Sequence, residues 1–249
     1  MEKLSKFMDC DIDIKNIDAI ELLKSIESNS IDLIVTDPPY PVIGGGSNVN
    51  NEKGRPKGIL KKNDGKIFEH NDIHITKWIY EFYRILKEDT HLYIMINFLN
   101  LENYMQEIRK AGFDIHSLLV WQKNNATPSR WYMKNGEYVI FARKGSAKAI
   151  KKPGSKMIHK FNNPTSPKRH ETEKPIDLIQ MYIENSSNIG DTIFDPFMGS
   201  GSCPVACIRS HRKFIGSEID TKHYATIQTR INEELELQKN SLLLMGGFH

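Results

Sequence analysis

The chain has 249 residues, 39% of them hydrophobic and 26% charged, with a net charge of +3. That length suits one large α/β domain or two small ones with a full apolar core, and so small a net charge identifies no partner. No apolar run is long enough for a membrane helix, and Met1 to Asp13 mixes Glu, Lys and Asp without a signal-peptide stretch. The expectation is a cytoplasmic protein with no membrane partner. The three cysteines, Cys10, Cys203 and Cys207, form no CxxC pair, which argues against a disulfide framework or a metal site. Cys203 and Cys207 stand one helical turn apart and read as small buried helix residues.

In chain order, short apolar runs predict strands at Ile31 to Val35, Leu92 to Ile96, Leu118 to Trp121, Tyr138 to Phe141, Thr192 to Phe194 and Phe214 to Ser217. They are apolar throughout rather than alternating, as in a parallel sheet covered on both faces. Helical spacing lies between them. Ile75, Ile79, Phe82 and Leu86 make one face, and Leu101, Tyr104, Met105 and Ile108 another that stops at Gly112. Pro175 opens a third helix, with Ile179, Tyr182 and Ile183 inward; Pro204 stands near the start of a fourth, and Tyr224, Ile227 and Ile231 line a fifth. Strands alternating with helices predict a doubly wound α/β sheet. Two stretches, about 44–66 and 144–169, are lysine-rich, carry little periodicity and read as long loops; the tail after Glu233 has no assignment.

Two motifs carry chemistry. Asp37-Pro38-Pro39-Tyr40 follows a predicted strand directly, at the edge where open α/β sheets bind ligands. Two prolines fix the backbone, so a carboxylate and a neighbouring carbonyl can accept both hydrogens of an NH₂ group. Tyr40 offers a flat face for a base. An aromatic amine is a poor nucleophile because its lone pair is delocalised, and two acceptors on its hydrogens localise it. Asp37 can also relay the proton. The same residues also suit a simple rigid turn. The second motif, Phe194-Asp195-Pro196-Phe197-Met198-Gly199-Ser200-Gly201-Ser202, joins a strand to a helix. Its glycines allow close backbone approach to a ligand. Glu218 ends the next strand, where an acidic side chain can bind ribose hydroxyls.

Together, and in this order, the motifs make the chain resemble the amino-group DNA methyltransferases of the permuted β class, which modify adenine N6 or cytosine N4. The resemblance spans roughly Lys15 to Ile231. It implies a seven-stranded mixed sheet of the Rossmann-like type with one antiparallel strand, in a single methyltransferase domain over 1–249. It implies S-adenosyl-L-methionine as cofactor, with Asp37, Pro38, Pro39 and Tyr40 catalytic. Asp37, Phe194, Asp195, Pro196, Gly199, Ser200, Gly201, Ser202 and Glu218 would line the cofactor. Asp18, in Asn16 to Leu23, matches a segment that contacts adenosine, although Ile17 stands where the family has Gly. His170-Glu171-Thr172-Glu173-Lys174-Pro175 resembles an H-x-T-x-K-P segment, which places Thr172 and Lys174 near the methionine part; Thr172 also suits a helix cap. Trp121-Gln122-Lys123-Asn124 resembles the family's W-x-K-x segment. No metal is implied.

The resemblance puts DNA recognition between the Trp121 segment and Lys174. The basic loops are read as clamps on double-stranded DNA, through Arg55 and Lys57 in the first, Lys151, Lys152, Lys156, Lys168 and Arg169 in the second, and Lys123 between them. Solvated lysine-rich loops are the plainer alternative. The target base would be flipped out of the duplex. Adenine N6 is the expected acceptor, because Asp before Pro-Pro-Tyr is commoner among the family's adenine enzymes. Cytosine N4, RNA, or an inactive DNA-binding relative are the alternatives. The resemblance points to a bacterial or phage-encoded enzyme and leaves a homodimer and a cognate restriction endonuclease open as partners.

Overall fold

All six predicted apolar runs become strands of one sheet. A computed structural model of the chain describes residues 11–40, 42–43, 61–62, 73–127, 131–164 and 173–246. The strands are β1 Ile12–Lys15, β2 Ile31–Thr36, β3 Val42–Ile43, β4 Lys61–Lys62, β5 Leu86–Ile96, β6 Asp114–Thr127, β7 Lys134–Arg143, β8 Ile158–Lys160, β9 Thr192–Asp195 and β10 Lys213–Ser217. The α-helices are α1 Ala19–Ser25, α2 Ile79–Ile85, α3 Leu101–Lys110, α4 Ile176–Ser186, α5 Ser202–Arg209 and α6 Thr221–Gly246. A 3₁₀ turn, Ile75–Lys77, precedes α2.

The main sheet has eight strands in the order β1-β10-β9-β2-β5-β7-β6-β8, and β3 pairs with β4 apart from it. Only β7 runs antiparallel to its neighbours in the main sheet, β5 and β6. The expected single antiparallel strand is there, but the sheet has eight strands rather than seven. The eighth is β8, inside the second lysine-rich stretch, where it pairs parallel to β6 through Val120↔Ile158 to Gln122↔Lys160. Three residues carry no readable period, so the pairing comes from the neighbouring strand rather than from propensity. The edge strand β1 shows no apolar run, because its Asp13 and Lys15 interrupt it.

Strand periodicity splits the core in two. Ile34 and Ile94 face Leu22, Leu23, Phe82, Tyr104 and Ile108 of α1, α2 and α3. Leu33, Val35 and Tyr93 face Leu178, Ile179, Ala206, Ile227 and Ile231 of α4, α5 and α6. Cys203 and Cys207 are buried on α5, as read. Leu86 leaves the predicted helical face and begins β5, because its backbone is extended at the cap. The tail left unassigned continues α6 to Gly246. No helix among the described residues is long and apolar enough to cross a membrane.

Parallel strands share one direction, so the ends of β2, β5, β9 and β10 meet at one sheet edge. β2 and β9, which are 159 residues apart at Thr36 and Asp195, are neighbours there. The Asp37 and Gly199 loops leave the sheet side by side, where the strand order switches.

Candidate active site

Asp37 leaves β2 half-buried, and both of its carboxylate oxygens are engaged. The Lys174 ammonium donates to Oδ2 at 2.6 Å. The Tyr40 hydroxyl lies 2.5 Å from Oδ1 and 2.9 Å from the Met95 carbonyl, with one hydrogen to give. Tyr104 braces the Tyr40 ring edge-on, at 6.2 Å between centroids. Burial, and next the Asp37 carboxylate, push the Tyr40 phenol well above its usual range, so it stays a neutral donor. Each Asp37 oxygen keeps a second lone pair for an amine hydrogen.

Lys174 precedes α4 and is buried. A second carboxylate, Glu137 at the catalytic end of β7, lies 3.3 Å from its ammonium. Glu137 also pairs with Lys123, which lies over the Trp121 ring at 4.7 Å. The result is an alternating line, Asp37–Lys174–Glu137–Lys123, with charges that cancel. Burial alone would lower the Lys174 pKa, but Asp37 and Glu137 hold it above the usual range. Burial would raise Glu137, but Lys174 and Lys123 hold it below. Such a line favours full ionisation and a single geometry.

The glycine loop lies next to it. Gly199 and Gly201 adopt φ of +51° and +80°. A Cβ on Gly201 would stand 3.0 Å from the Ile227 side chain, in a conformation that other residues rarely adopt. Glu218 at the end of β10 accepts from the Gly199 N–H at 2.8 Å and the Asp220 N–H at 3.0 Å. Burial raises its pKa, and those two donors oppose the rise. Asn16 ties β1 to this corner through the Glu218 carbonyl at 2.7 Å. Arg230 of α6 reaches the Ser200 carbonyl and holds Glu173 at 2.8 Å, and Ser202 donates to the Lys174 carbonyl at 2.8 Å. The glycine loop and the lysine segment are therefore one unit.

Of the residues read from sequence, the structure brings together Asp37, Pro38, Pro39, Tyr40, Lys174, Gly199, Ser200, Gly201, Ser202 and Glu218 at this edge. The Pro196 carbonyl accepts from Ser217 there. Two side chains turn away. The Phe194 ring packs in the core against Phe82, at 6.1 Å between centroids. The Asp195 carboxyl accepts from Thr36 Oγ1 at 2.7 Å and from the Phe197 N–H, locking β9 to β2. Any part these two play toward a ligand passes through the backbone they fix. Asp18 caps α1, with Oδ1 accepting from the Ile20 N–H at 2.8 Å. Arg55, Lys57, Lys168, Arg169 and Thr172 lie outside the described residues.

Lys151 and Lys152 of the second lysine set are not at this edge. Lys151 donates its backbone N–H to the Asn185 carbonyl, and Lys152 lies 4.0 Å from Glu184. Both partners are at the far end of α4, roughly 16 Å from Lys174 for eleven residues at ~1.5 Å each. Lys156 lies two residues before β8, whose Ile158 pairs with Val120. Lys123 is at the edge but is committed to Glu137. Sequence reading missed Glu137, Arg230 and Thr36. A lone acidic residue opening the apolar run Tyr138 to Phe141 was the available signal for Glu137.

The family model described as DNA methylase matches residues 31–229. Among curated proteins, the Type II methyltransferase M2.LlaDCHI of Lactococcus lactis subsp. cremoris is 27% identical over 87% of both chains. M2.DpnII of Streptococcus pneumoniae is 28% identical over 88% of this chain and 89% of its own. Among solved structures, the M1.HpyAVI–SAM complex superposes with a TM-score of 0.67 at 24% identity, covering 88% of this chain and 99% of its own. The PvuII DNA methyltransferase, described as cytosine-N4-specific, gives 0.64 at 16% identity, covering 91% of this chain and 93% of its own. At that identity both describe the fold. The family match covers most of the chain, and the chain belongs to the DNA methylase family.

Proposed function

We propose that this member of the DNA methylase family moves a methyl group from S-adenosyl-L-methionine to the exocyclic N6 of adenine in double-stranded DNA. The observation that carries the proposal is Asp37 at the end of β2, held at 2.6 Å by Lys174 beside the glycine loop. The residues present fit the cofactor. Glu218 is a carboxylate fixed by backbone donors, with lone pairs left for ribose hydroxyls, and Gly199 leaves open space where a Cβ would stand. When bound, the cofactor supplies a methyl group already activated by the sulfonium.

The chain's own groups then act on the acceptor. Asp37 and a neighbouring backbone carbonyl of Pro38-Pro39 accept the amine hydrogens and localise its lone pair. Tyr40 fixes Oδ1 by its hydroxyl, and Lys174 fixes Oδ2, so the carboxylate does not rotate as charge develops on nitrogen. Asp37 then takes up the released proton. Cys203 and Cys207 take no part, because both are buried on α5.

Cytosine N4 is the second reading, supported by the fold likeness to a cytosine-N4-specific enzyme. Asp, rather than Ser, ahead of Pro-Pro-Tyr favours adenine. Relatives named Type II methyltransferases support a restriction–modification setting with a cognate endonuclease. The test is transfer of labelled methyl to DNA, followed by digestion to nucleosides and mass identification. N6-methyldeoxyadenosine is expected; N4-methyldeoxycytidine would move the assignment to the second reading, and label in RNA alone would overturn both.

A further inference from the structure

Five exposed large apolar residues stand on two neighbouring connections at the edge that carries Asp37. Trp131, Tyr132 and Met133 are 77%, 96% and 60% exposed, on the connection from β6 to β7. Phe98 is 66% exposed, with Leu99 beside it, on the connection from β5 to α3. β5 and β7 are paired, Ile96 with Tyr138, so the two connections leave adjacent strands at the same end as Thr36, which pairs with Ile94. Scattered apolar residues on a surface mean little, but contiguous aromatics beside a functional site mark a partner.

The carrier of Trp131 is built to project. β6 and β7 remain paired beyond the sheet, from Val120↔Tyr138 to Thr127↔Lys134. Four residues of β7 at ~3.3 Å each carry the tip roughly 13 Å past the strand ends. The register shifts between Gln122 and Thr127, which bends such a ribbon. Its root is rigid. Lys123 pairs with Glu137 across it, Trp121 Nε1 donates to the Phe161 carbonyl at 2.9 Å, and Asn163 bonds both Asn124 and Asn125. Exposed Lys134 begins β7 at the tip, and exposed Lys160 ends β8 at the same edge.

We infer that the β6–β7 ribbon is a wedge that enters duplex DNA, with Trp131 and Tyr132 stacking in the space left by the displaced target base. The inference rests on the DNA-methylation reading above. An amine inside a duplex is out of reach of Asp37, so the base must leave the stack, and the vacated space is flat, apolar and of aromatic size. Tyr132 and Trp131 are rings of that kind, on a rigid arm, at the edge where the base must arrive. Lys134 and Lys160 supply cations for the flanking phosphates. Phe98 and Leu99 form the apolar wall on the β5 side. A protein partner would fit the apolar tip equally but would not require it to stand at the edge that carries Asp37.

The experiment uses the double variant Trp131→Ala/Tyr132→Ala in the full chain. Its substrates are two versions of a duplex carrying the site where wild-type labelling maps: one fully paired, one with an abasic position opposite the target. Both residues are exposed, so the urea midpoint should match wild type. Methyl transfer to the paired duplex is expected to fall roughly ten- to a hundredfold, as for loss of base–aromatic stacking. On the abasic duplex, where displacement is easy, it should return to within about threefold of wild type. Wild-type rates on the paired duplex, or equal losses on both, would overturn the wedge. If the wild type labels no DNA at all, the DNA reading fails and the wedge with it.

Discussion

The two ends of the sheet use lysine in opposite ways. At the catalytic end, Lys174 and Lys123 alternate with Asp37 and Glu137, and the line stops at a carboxylate with lone pairs to spare. At the other end, Lys144 is buried and donates to Asn29 Oδ1, the Tyr83 carbonyl and the Leu86 carbonyl, all within 2.9 Å. Its ammonium ties the α1–β2 turn, α2 and β5 to the end of β7. One end uses a cation to set up a reactive acceptor, and the other uses one to close a structural gap. Local composition cannot tell them apart, since Lys144 opens the same lysine-rich stretch that reads as a DNA clamp.

The comparison breaks most visibly at Asp37. Asp37→Asn keeps the shape and one acceptor but loses the charge that Lys174 faces. Methyl transfer should fall about 10²- to 10⁴-fold, the range for a proton-accepting group, while cofactor affinity measured by calorimetry stays near wild type. Lys144→Met should do the reverse. It leaves three acceptors without their donor, the Leu86 carbonyl among them buried, and should cost about 2 kcal/mol in urea unfolding, with kcat per folded molecule unchanged. If Lys144→Met lost activity before stability, the division between the two ends would be wrong.

At the catalytic end, the Asp195 carboxyl holds β9 to β2. Burial, opposed by Thr36 and the Phe197 N–H and reinforced by the Asp37 and Glu218 carboxylates, raises the Asp195 pKa to about 7. A raised folded value means its stabilising contribution is complete below the unfolded carboxylate range and is lost as pH rises through about 7. The wild type should lose on the order of 2 kcal/mol of unfolding free energy between about pH 5 and pH 8 from this group. Asp195→Asn keeps an acceptor for Thr36 and should flatten that slope. An unchanged slope would mean that Asp195 titrates outside this window. A smaller effect is expected at Glu137. Glu137→Gln takes one carboxylate charge from Lys174 and turns its ammonium more fully on Asp37, which makes Asp37 a weaker acceptor, so kcat should fall about tenfold with KM for DNA unchanged.

Much of this was legible because the chemistry is local in sequence. Asp37-Pro38-Pro39-Tyr40 and Gly199 to Ser202 sit on strand ends whose apolar runs are unambiguous, so both the sheet and its reactive edge could be read. Pairings that cross the sheet could not. Glu137 acts only because β7 runs antiparallel and brings its first residues beside Lys174, 37 positions later in the chain. Asp195 looks like a ligand group in its motif, and only the adjacency of β9 to β2 turns it toward Thr36. Trp131 and Tyr132 lie between two predicted strands, whose apolar runs stop short of the ribbon that carries them.

The smallest effect is the most discriminating for DNA binding. Lys151 and Lys152 pack against Asn185 and Glu184 at the structural end, and Lys134 and Lys160 stand at the catalytic end. Each phosphate contact removed lowers the slope of log affinity against log salt by about 0.9. Neutralising Lys151 and Lys152 together should therefore leave that slope nearly unchanged and shift affinity less than about twofold. Neutralising Lys134 and Lys160 should lower the slope by about 1 to 2. Fluorescence anisotropy of a labelled duplex across a salt series measures both. The reverse outcome would mean that DNA wraps past α4 to the far end of the sheet. The phosphate path would then follow the lysine-rich stretch along the chain rather than the edge that carries Asp37.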